Sequence, residues 1–253
     1  VRSYAFLDSP GPIAFAHRGS ATGGVENSLV AFQQAVDLGY RYLETDVQAT
    51  ADGELLAFHD RRLDRATDRA GVIARLPFRE VRRARIAGRE PIPRLTDILD
   101  AFPDTRLNLD VKDLPVVEPL VNLVRRTGCH DRVCIASFSD RRLARVRTRL
   151  GPAVATSFGP RGVLALRVAT HLPLLRRLVR ADVPCVQIPV RARGIPLVTP
   201  RFLDVAHGLG LQVHVWTIDD PAEMARLLDL GVDGIMTDEP ARLRDVLTAR
   251  GEW

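Results

Sequence analysis

The sequence predicts an α/β protein of the TIM, or (β/α)8, barrel class with a small insertion after the second strand. Short apolar and β-branched runs alternate with amphipathic helical stretches along nearly the whole chain. Eight such strand-like runs can be counted, each followed by a helix, and 253 residues suit one barrel of this kind. A doubly wound sheet is the alternative, but no glycine phosphate fingerprint follows the first strand. The expected organisation is a single domain over residues 1–253, with the insertion at about 60–94.

The first strand is Ile13–His17, leading into a glycine-rich loop. Asn27 or Ser28 can cap a helix carrying Leu29, Phe32, Ala35 and Val36 on one face, and Gly39 ends it as a C′ residue. The second strand is Tyr42–Gln48; beyond the turn Ala51-Asp52-Gly53, the segment ELLAFHD runs back as a hairpin partner ending at His59. The polar, arginine-rich stretch from Asp60 to Arg94 reads as an excursion with a short helix near Phe78–Ile86. A helix at Leu95–Phe102 and a strand at Arg106–Lys112 follow. The remaining strands are expected at Val133–Phe138, Val154–Phe158, Val186–Pro189, Gln212–Ile218 and Gly234–Thr237.

Charge and cysteine usage narrow the setting. A net charge of +5 favours anionic partners, or reflects an arginine-rich proteome. Lys112 is the single lysine among 36 basic residues, and it stands two positions from Asp110. A compact ammonium kept there suggests a site that a planar guanidinium would not serve. The odd number of cysteines (Cys129, Cys134, Cys185) shows no metal spacing and suits buried thiols in a reducing compartment. No secretory leader and no membrane-length apolar run is seen, so a cytoplasmic protein without stable membrane insertion is expected. Oligomeric state leaves no mark.

Chemistry concentrates at strand ends, where barrels of this type place their active sites. Residues two apart in a strand share a face, so Glu44 pairs with Asp46, and Asp110 with Lys112. Glu44, Asp46 and Asp110 form an oxygen-only set suited to one divalent cation, Mg²⁺ or Ca²⁺. Without a cation, three such carboxylates repel and at least one takes up a proton. His17 and His59 are the natural proton carriers. Trp216 stands at the rim as a substrate platform or as ordinary core, whereas His214 reads as a satisfied core histidine. His130, His171 and His207 fall on helices or loops.

The pieces AHRG, VENS, ETDVQATADGELLAFHD, LDRATDRAG, PIPRLTDIL, LNLDVK, ASFS and VWTIDDP occur in that order. Together they resemble the glycerophosphodiester phosphodiesterase family, over most of the chain from Ala14 to about Pro240. The resemblance implies a phosphoric diester hydrolase built on a TIM barrel with an insertion after the second strand. It further implies that His17 and His59 are base and acid, that Arg18 and Lys112 hold the phosphate, and that Glu44, Asp46 and Asp110 hold the metal. Glu26 matches the acid of the family's ENT motif and is expected near the metal; Trp216 matches its rim tryptophan. Two positions depart from the pattern: Asp110 stands where glutamate is frequent, and Ser28 where threonine is.

The expected substrates are small glycerophosphodiesters such as glycerophosphocholine or glycerophosphoethanolamine, cleaved to sn-glycerol 3-phosphate and an alcohol. A lysophospholipid substrate is the alternative. It is suggested by the apolar and basic stretch Val163–Arg180, which otherwise reads as a helix packed on the barrel with a break near Pro173. A non-catalytic anion binder is a second alternative. Nucleic acid is not expected as a partner: the arginines are scattered and no recognised motif is present.

Overall fold

The structure, a computed structural model, describes residues 3–253 apart from 21–23, 173, 175, 177, 178, 180 and 181. Its elements in chain order begin with β1 (Ile13–His17), α1 (Leu29–Asp37), β2 (Tyr42–Ala49) and β3 (Leu55–Ala57). The insertion holds α2 (Phe78–Val81) and the hairpin β4 (Arg85–Ile86) and β5 (Glu90–Pro91). Then come α3 (Leu95–Ala101), β6 (Arg106–Val111), α4 (Val117–Thr127), β7 (Val133–Ala136), α5 (Asp140–Leu150), β8 (Ala155–Thr156) and α6 (Pro160–Ala169). The last part comprises β9 (Cys185–Pro189), the hairpin β10 (Arg191–Ala192) and β11 (Ile195–Pro196), α7 (Pro200–Gly208), β12 (Gln212–Trp216), α8 (Pro221–Leu230), β13 (Gly234–Thr237) and α9 (Pro240–Ala249).

Eight parallel strands run in the order β8-β7-β6-β2-β1-β13-β12-β9, with β3 antiparallel beside β2. A parallel bridge between Ser157 and Cys185 brings the two ends of that sheet together, and the Phe158 amide donates to the Cys185 carbonyl at 3.0 Å. The result is a nearly closed (β/α)8 barrel, as expected. Its helices lie outside because each has one apolar stripe: α4 buries Val117, Leu120, Val121 and Val124 while exposing Arg125 and Arg126.

The interior is layered. A 3-10 turn at Ala5–Leu7 closes the base by inserting Phe6, whose ring lies edge-on to Tyr42 (5.4 Å) and 6.5 Å from Phe15. Above it sits a polar layer in which Gln187 Nε2 donates to Asn108 Oδ1 (2.8 Å) and His214 bonds Gln187 and Gln212. Buried polar groups of this kind must be paired, and these are. All three cysteines are buried and unbridged.

Several elements differ from expectation. The insertion's helix is one turn, Phe78–Val81, and Arg85–Ile86 instead forms a hairpin with Glu90–Pro91. The arginine-rich composition hid a small apolar cluster of Leu63, Ile73, Val81 and Ile86 against Leu56 and Phe58, and this cluster dictates the path. The fifth barrel strand is only Ala155–Thr156, since Ser157 adds a bridge and Phe158 turns outward into the rim. The strands expected to reach Phe138 and Ile218 end at Ala136 and Trp216. Pro173 lies outside the described residues. The helix before it, α6, packs through Leu166 and Ala169 but leaves Leu164 and Val168 exposed.

Candidate active site

At the carboxyl ends of the strands lies a cavity of about 720 Å³. It is lined by His17, Arg18, Glu44, Asp46, His59, Asp110, Lys112 and Trp216, so every expected site residue except Glu26 faces it. Register explains the convergence. His17 is paired with Glu44 across β1 and β2, and Asp46 with Asp110 across β2 and β6. Side chains at one level of neighbouring parallel strands stand side by side on the inner face.

The loop after β1 is shaped to bring its backbone against β2. Arg18, Gly19 and Asn27 all have positive φ (55°, 81° and 59°). Glycine is required at 19, where a Cβ would lie 2.6 Å from the Ala31 carbonyl carbon. The Arg18 amide donates to the Glu44 carbonyl (3.0 Å) and to Glu44 Oε2 (3.2 Å). Asn27 Nδ2 donates to Asp46 Oδ2 (3.2 Å), with Asn27 Oδ1 in turn accepting from Thr45 (2.7 Å). Ser28 caps α1 by accepting from the Ala31 amide at 3.1 Å.

Each histidine is gripped from behind. His17 Nδ1 meets Asp238 Oδ1 at 2.7 Å, and Asp238 is itself held by its amide donating to Asp219 Oδ1 at 2.8 Å. His59 Nδ1 meets Asp60 Oδ1 at 2.6 Å. A carboxylate partner at Nδ1 takes the proton-bearing nitrogen, leaving Nε2 as the working atom in both rings. Arg65 ties the second dyad down, donating to Asp60 Oδ2 (2.5 Å) and to Glu26 Oε1 (2.6 Å). The Arg65 hydrogen bond holds the Asp60 carboxyl below its ordinary range.

The two cations are shared among the acids. Lys112 Nζ stands 2.7 Å from both Asp46 Oδ1 and Asp110 Oδ2, and Arg18 Nε is 3.0 Å from Asp46 Oδ2 without hydrogen-bond alignment. Burial would raise the Asp46 pKa, but Lys112 and Arg18 hold it below the usual value. Glu44 lacks such support; burial and the Asp46 charge push it up to about 7. Burial alone would lower the His17 pKa, yet Glu44 and Asp238 outweigh it and raise it. Glu44, Asp46 and Asp110 thus outnumber Arg18 and Lys112, the cations set against them.

Among the described residues, no three His, Cys, Asp or Glu side chains are already spaced to hold a metal ion. The donor chemistry nevertheless fits a hard divalent cation. Asp110 Oδ1 is buried with no hydrogen-bond partner, and Glu44 carries the strain of uncompensated charge. Glu26 does not line the cavity; it joins Arg18 Nη1 (3.3 Å) to Arg65. It orients the arginine that faces the acids.

The sequence reading assigned no role to Asp238, Asp60 or Arg65, and read Asn27 only as a candidate helix cap. Asp60 and Asp238 were findable in principle, being acids directly after the barrel-end segments ending at His59 and Thr237. It also missed the far wall, where Phe138, Phe158, Val163, Leu164 and Ile195 form an apolar side to the cavity. There Phe138 is edge-on to Trp216 at 5.6 Å.

A (β/α)8 barrel with two carboxylate-backed histidines, an arginine, a lysine and three acids at one rim defines a hydrolase for a phosphate-bearing substrate. Comparison with known proteins agrees. Residues 17–242 match the Glycerophosphoryl diester phosphodiesterase family. The chain is 46% identical over 252 residues to "Probable glycerophosphodiester phosphodiesterase 2" of Mycobacterium tuberculosis, covering 98% of this chain and 95% of that one. It is 25% identical to Lysophospholipase D GDPD1 of Homo sapiens, covering 91% of this chain and 84% of the relative. The fold matches an Oleispira antarctica phosphodiesterase solved with its product sn-glycerol-3-phosphate, at TM-score 0.78 and 22% identity over 94% and 97% of the chains. The chain belongs to the glycerophosphoryl diester phosphodiesterase family, and it is an enzyme with that hydrolase activity.

Proposed function

We propose that the protein hydrolyses small glycerophosphodiesters, such as glycerophosphocholine or glycerophosphoethanolamine, to sn-glycerol 3-phosphate and an alcohol. The observation that carries this reading is the pair of carboxylate-backed imidazoles, His17–Asp238 and His59–Asp60, facing one cavity that also holds Arg18 and Lys112. His17 Nε2 takes a proton from the attacking hydroxyl, and His59 Nε2 gives one to the departing alcohol. The attacking group is either water or the glycerol 2-hydroxyl, the second route passing through a cyclic phosphate. Arg18 and Lys112 neutralise the phosphoryl oxygens as charge builds. In the resting site both cations lean on the acids, so substrate must draw them forward.

One divalent cation, Mg²⁺ or Ca²⁺, is proposed at Glu44, Asp46 and Asp110, the side chains whose buried oxygens favour added positive charge. When bound, such an ion polarises the phosphoryl oxygen as a Lewis acid. We further propose that barrel and insertion act as one domain, since the insertion's apolar cluster includes Leu56 and Phe58, which precede His59. The unbridged cysteines support a reducing, cytoplasmic setting.

Release of glycerol 3-phosphate from glycerophosphocholine, followed with EDTA and with either ion restored, tests the reaction and the ion together. In that assay His59→Ala should lower turnover by roughly 10²–10⁴-fold. A near-normal rate would remove His59 as the acid.

A second substrate reading is favoured by the apolar wall of Phe138, Phe158, Val163, Leu164 and Ile195, which a choline leaving group does not need. A lysophospholipid would lay its acyl chain there while its phosphate reached the same rim. Hydrolysis of dispersed lysophospholipid in preference to glycerophosphocholine would establish it.

A further inference from the structure

Helix α6 breaks the rule that a surface helix turns polar side chains outward. Its exposed stripe is Arg161, Leu164, Ala165 and Val168, whereas the neighbouring α5 exposes Arg141, Arg145, Thr148 and Arg149. Leu164 is 64% exposed, and beyond the helix Leu172 and Leu174 are 53% and 89% exposed. On the same cavity mouth, the β10–β11 hairpin presents Ile195, 55% exposed, paired with Ala192, which Arg191 and Arg193 flank in sequence. Leu164, Arg193 and Ile195 all border the cavity, so the two apolar tips flank one opening.

The charge along these segments is predominantly positive. From residue 159 to residue 203 the sequence carries eight arginines and a single acid, Asp182. Exposed aliphatic side chains in an arginine-rich segment suit insertion of the tips among acyl chains, with guanidinium groups left at anionic headgroups. A protein partner would ask for complementary hydrogen bonding as well, and these tips offer aliphatic carbon and positive charge. We propose that the exposed face of α6 and the β10–β11 hairpin dock on an anionic membrane surface, turning the mouth of the cavity toward the lipid. The contact is peripheral; no helix among the described residues is long and apolar enough to cross a membrane. The inference goes beyond the hydrolytic reaction and does not depend on which diester is cleaved.

Sedimentation of the full chain with vesicles of phosphatidylcholine, with and without phosphatidylglycerol, tests it. The protein should pellet with the anionic vesicles only, and binding should weaken in high salt. Val168→Asp combined with Leu172→Asp should lower binding by more than about tenfold while glycerophosphocholine turnover and the thermal melt stay unchanged. Arg161→Ser combined with Arg176→Ser should also weaken binding and flatten its salt dependence. No pelleting with either vesicle, equal pelleting with both, or full binding by the Val168/Leu172 variant would each overturn the proposal. So would a wild-type dimer that these substitutions convert to monomer without any vesicle binding, since the face would then be a self-interface. Vesicle binding is read without turnover, so its failure leaves the hydrolase assignment untouched.

Discussion

The two sides of the cavity are built by opposite means. Over β1, β2 and β6, His17, Arg18, Glu44, Asp46, Asp110 and Lys112 are locked by register, ion pairs and hydrogen bonds, so that moving one disturbs the next. Over β8 and β9 the wall is mainly aliphatic and aromatic, through Phe158, Val163, Leu164 and Ile195, and β8 is only two residues long. Chemistry needs positions held to fractions of an ångström, and only the first side supplies them. Accommodation of a variable leaving group needs area without direction, which the second side supplies. On the function proposed above, the same barrel separates reaction from selectivity by strand.

Substitutions on the two sides should differ in kind. Lys112→Met would strip Asp46 and Asp110 of their shared partner. Turnover of glycerophosphocholine should fall by roughly 10²–10³-fold. The protein should also lose about 3–5 kcal/mol of stability without added metal, measurable by urea unfolding; added Mg²⁺ should restore part of the stability and little of the rate. A loss of stability without loss of rate would place Lys112 outside the phosphate-binding group.

Asp238→Asn acts through His17 and should lower the plateau rate by up to about 100-fold through misorientation. Its pH profile gives a separate readout. The charge and hydrogen bond of Asp238 raise the His17 pKa, and a base works only when unprotonated. Removing Asp238 lowers that pKa, so the acidic limb of kcat/KM should move to lower pH. A limb that stays in place would assign it to another group.

On the apolar side the effects should be smaller and substrate-dependent. Leu164→Ala should reduce kcat/KM for a lysophospholipid by about tenfold, with a lesser change for glycerophosphocholine. Equal changes for both substrates would mean that the wall does not discriminate between them.

The legibility of the sequence follows the same division. Strands β1, β2 and β6 carry His17, Glu44, Asp46 and Asp110 in their carboxyl-terminal halves or nearby, so their course and their contribution to the rim were both readable. The apolar wall was not. Leu164 and Val168 lie in a pattern that reads equally as a core-facing stripe, because periodicity gives the angle between faces and not which face meets the barrel. The aspartate behind His17 escaped for another reason: Asp238 is 221 positions away in sequence, whereas Asp60 directly follows the histidine it holds. The insertion misled through composition, since its buried aliphatic cluster is scattered among arginines that all reach solvent.

The closure between β8 and β9 gives the barrel a seam. Elsewhere, adjacent strands share ladders of two to six paired residues, but here the circle is completed by the Ser157–Cys185 bridge and the Phe158 amide. Cooperative ladders resist opening, and a single rung does not. In deuterated water, the amide of Phe158 should exchange well before those of β2 and β6, marking the place where the cylinder first unzips. A mechanical load or a mild denaturant should find the same line, and the half that carries the acids should be the last to come apart.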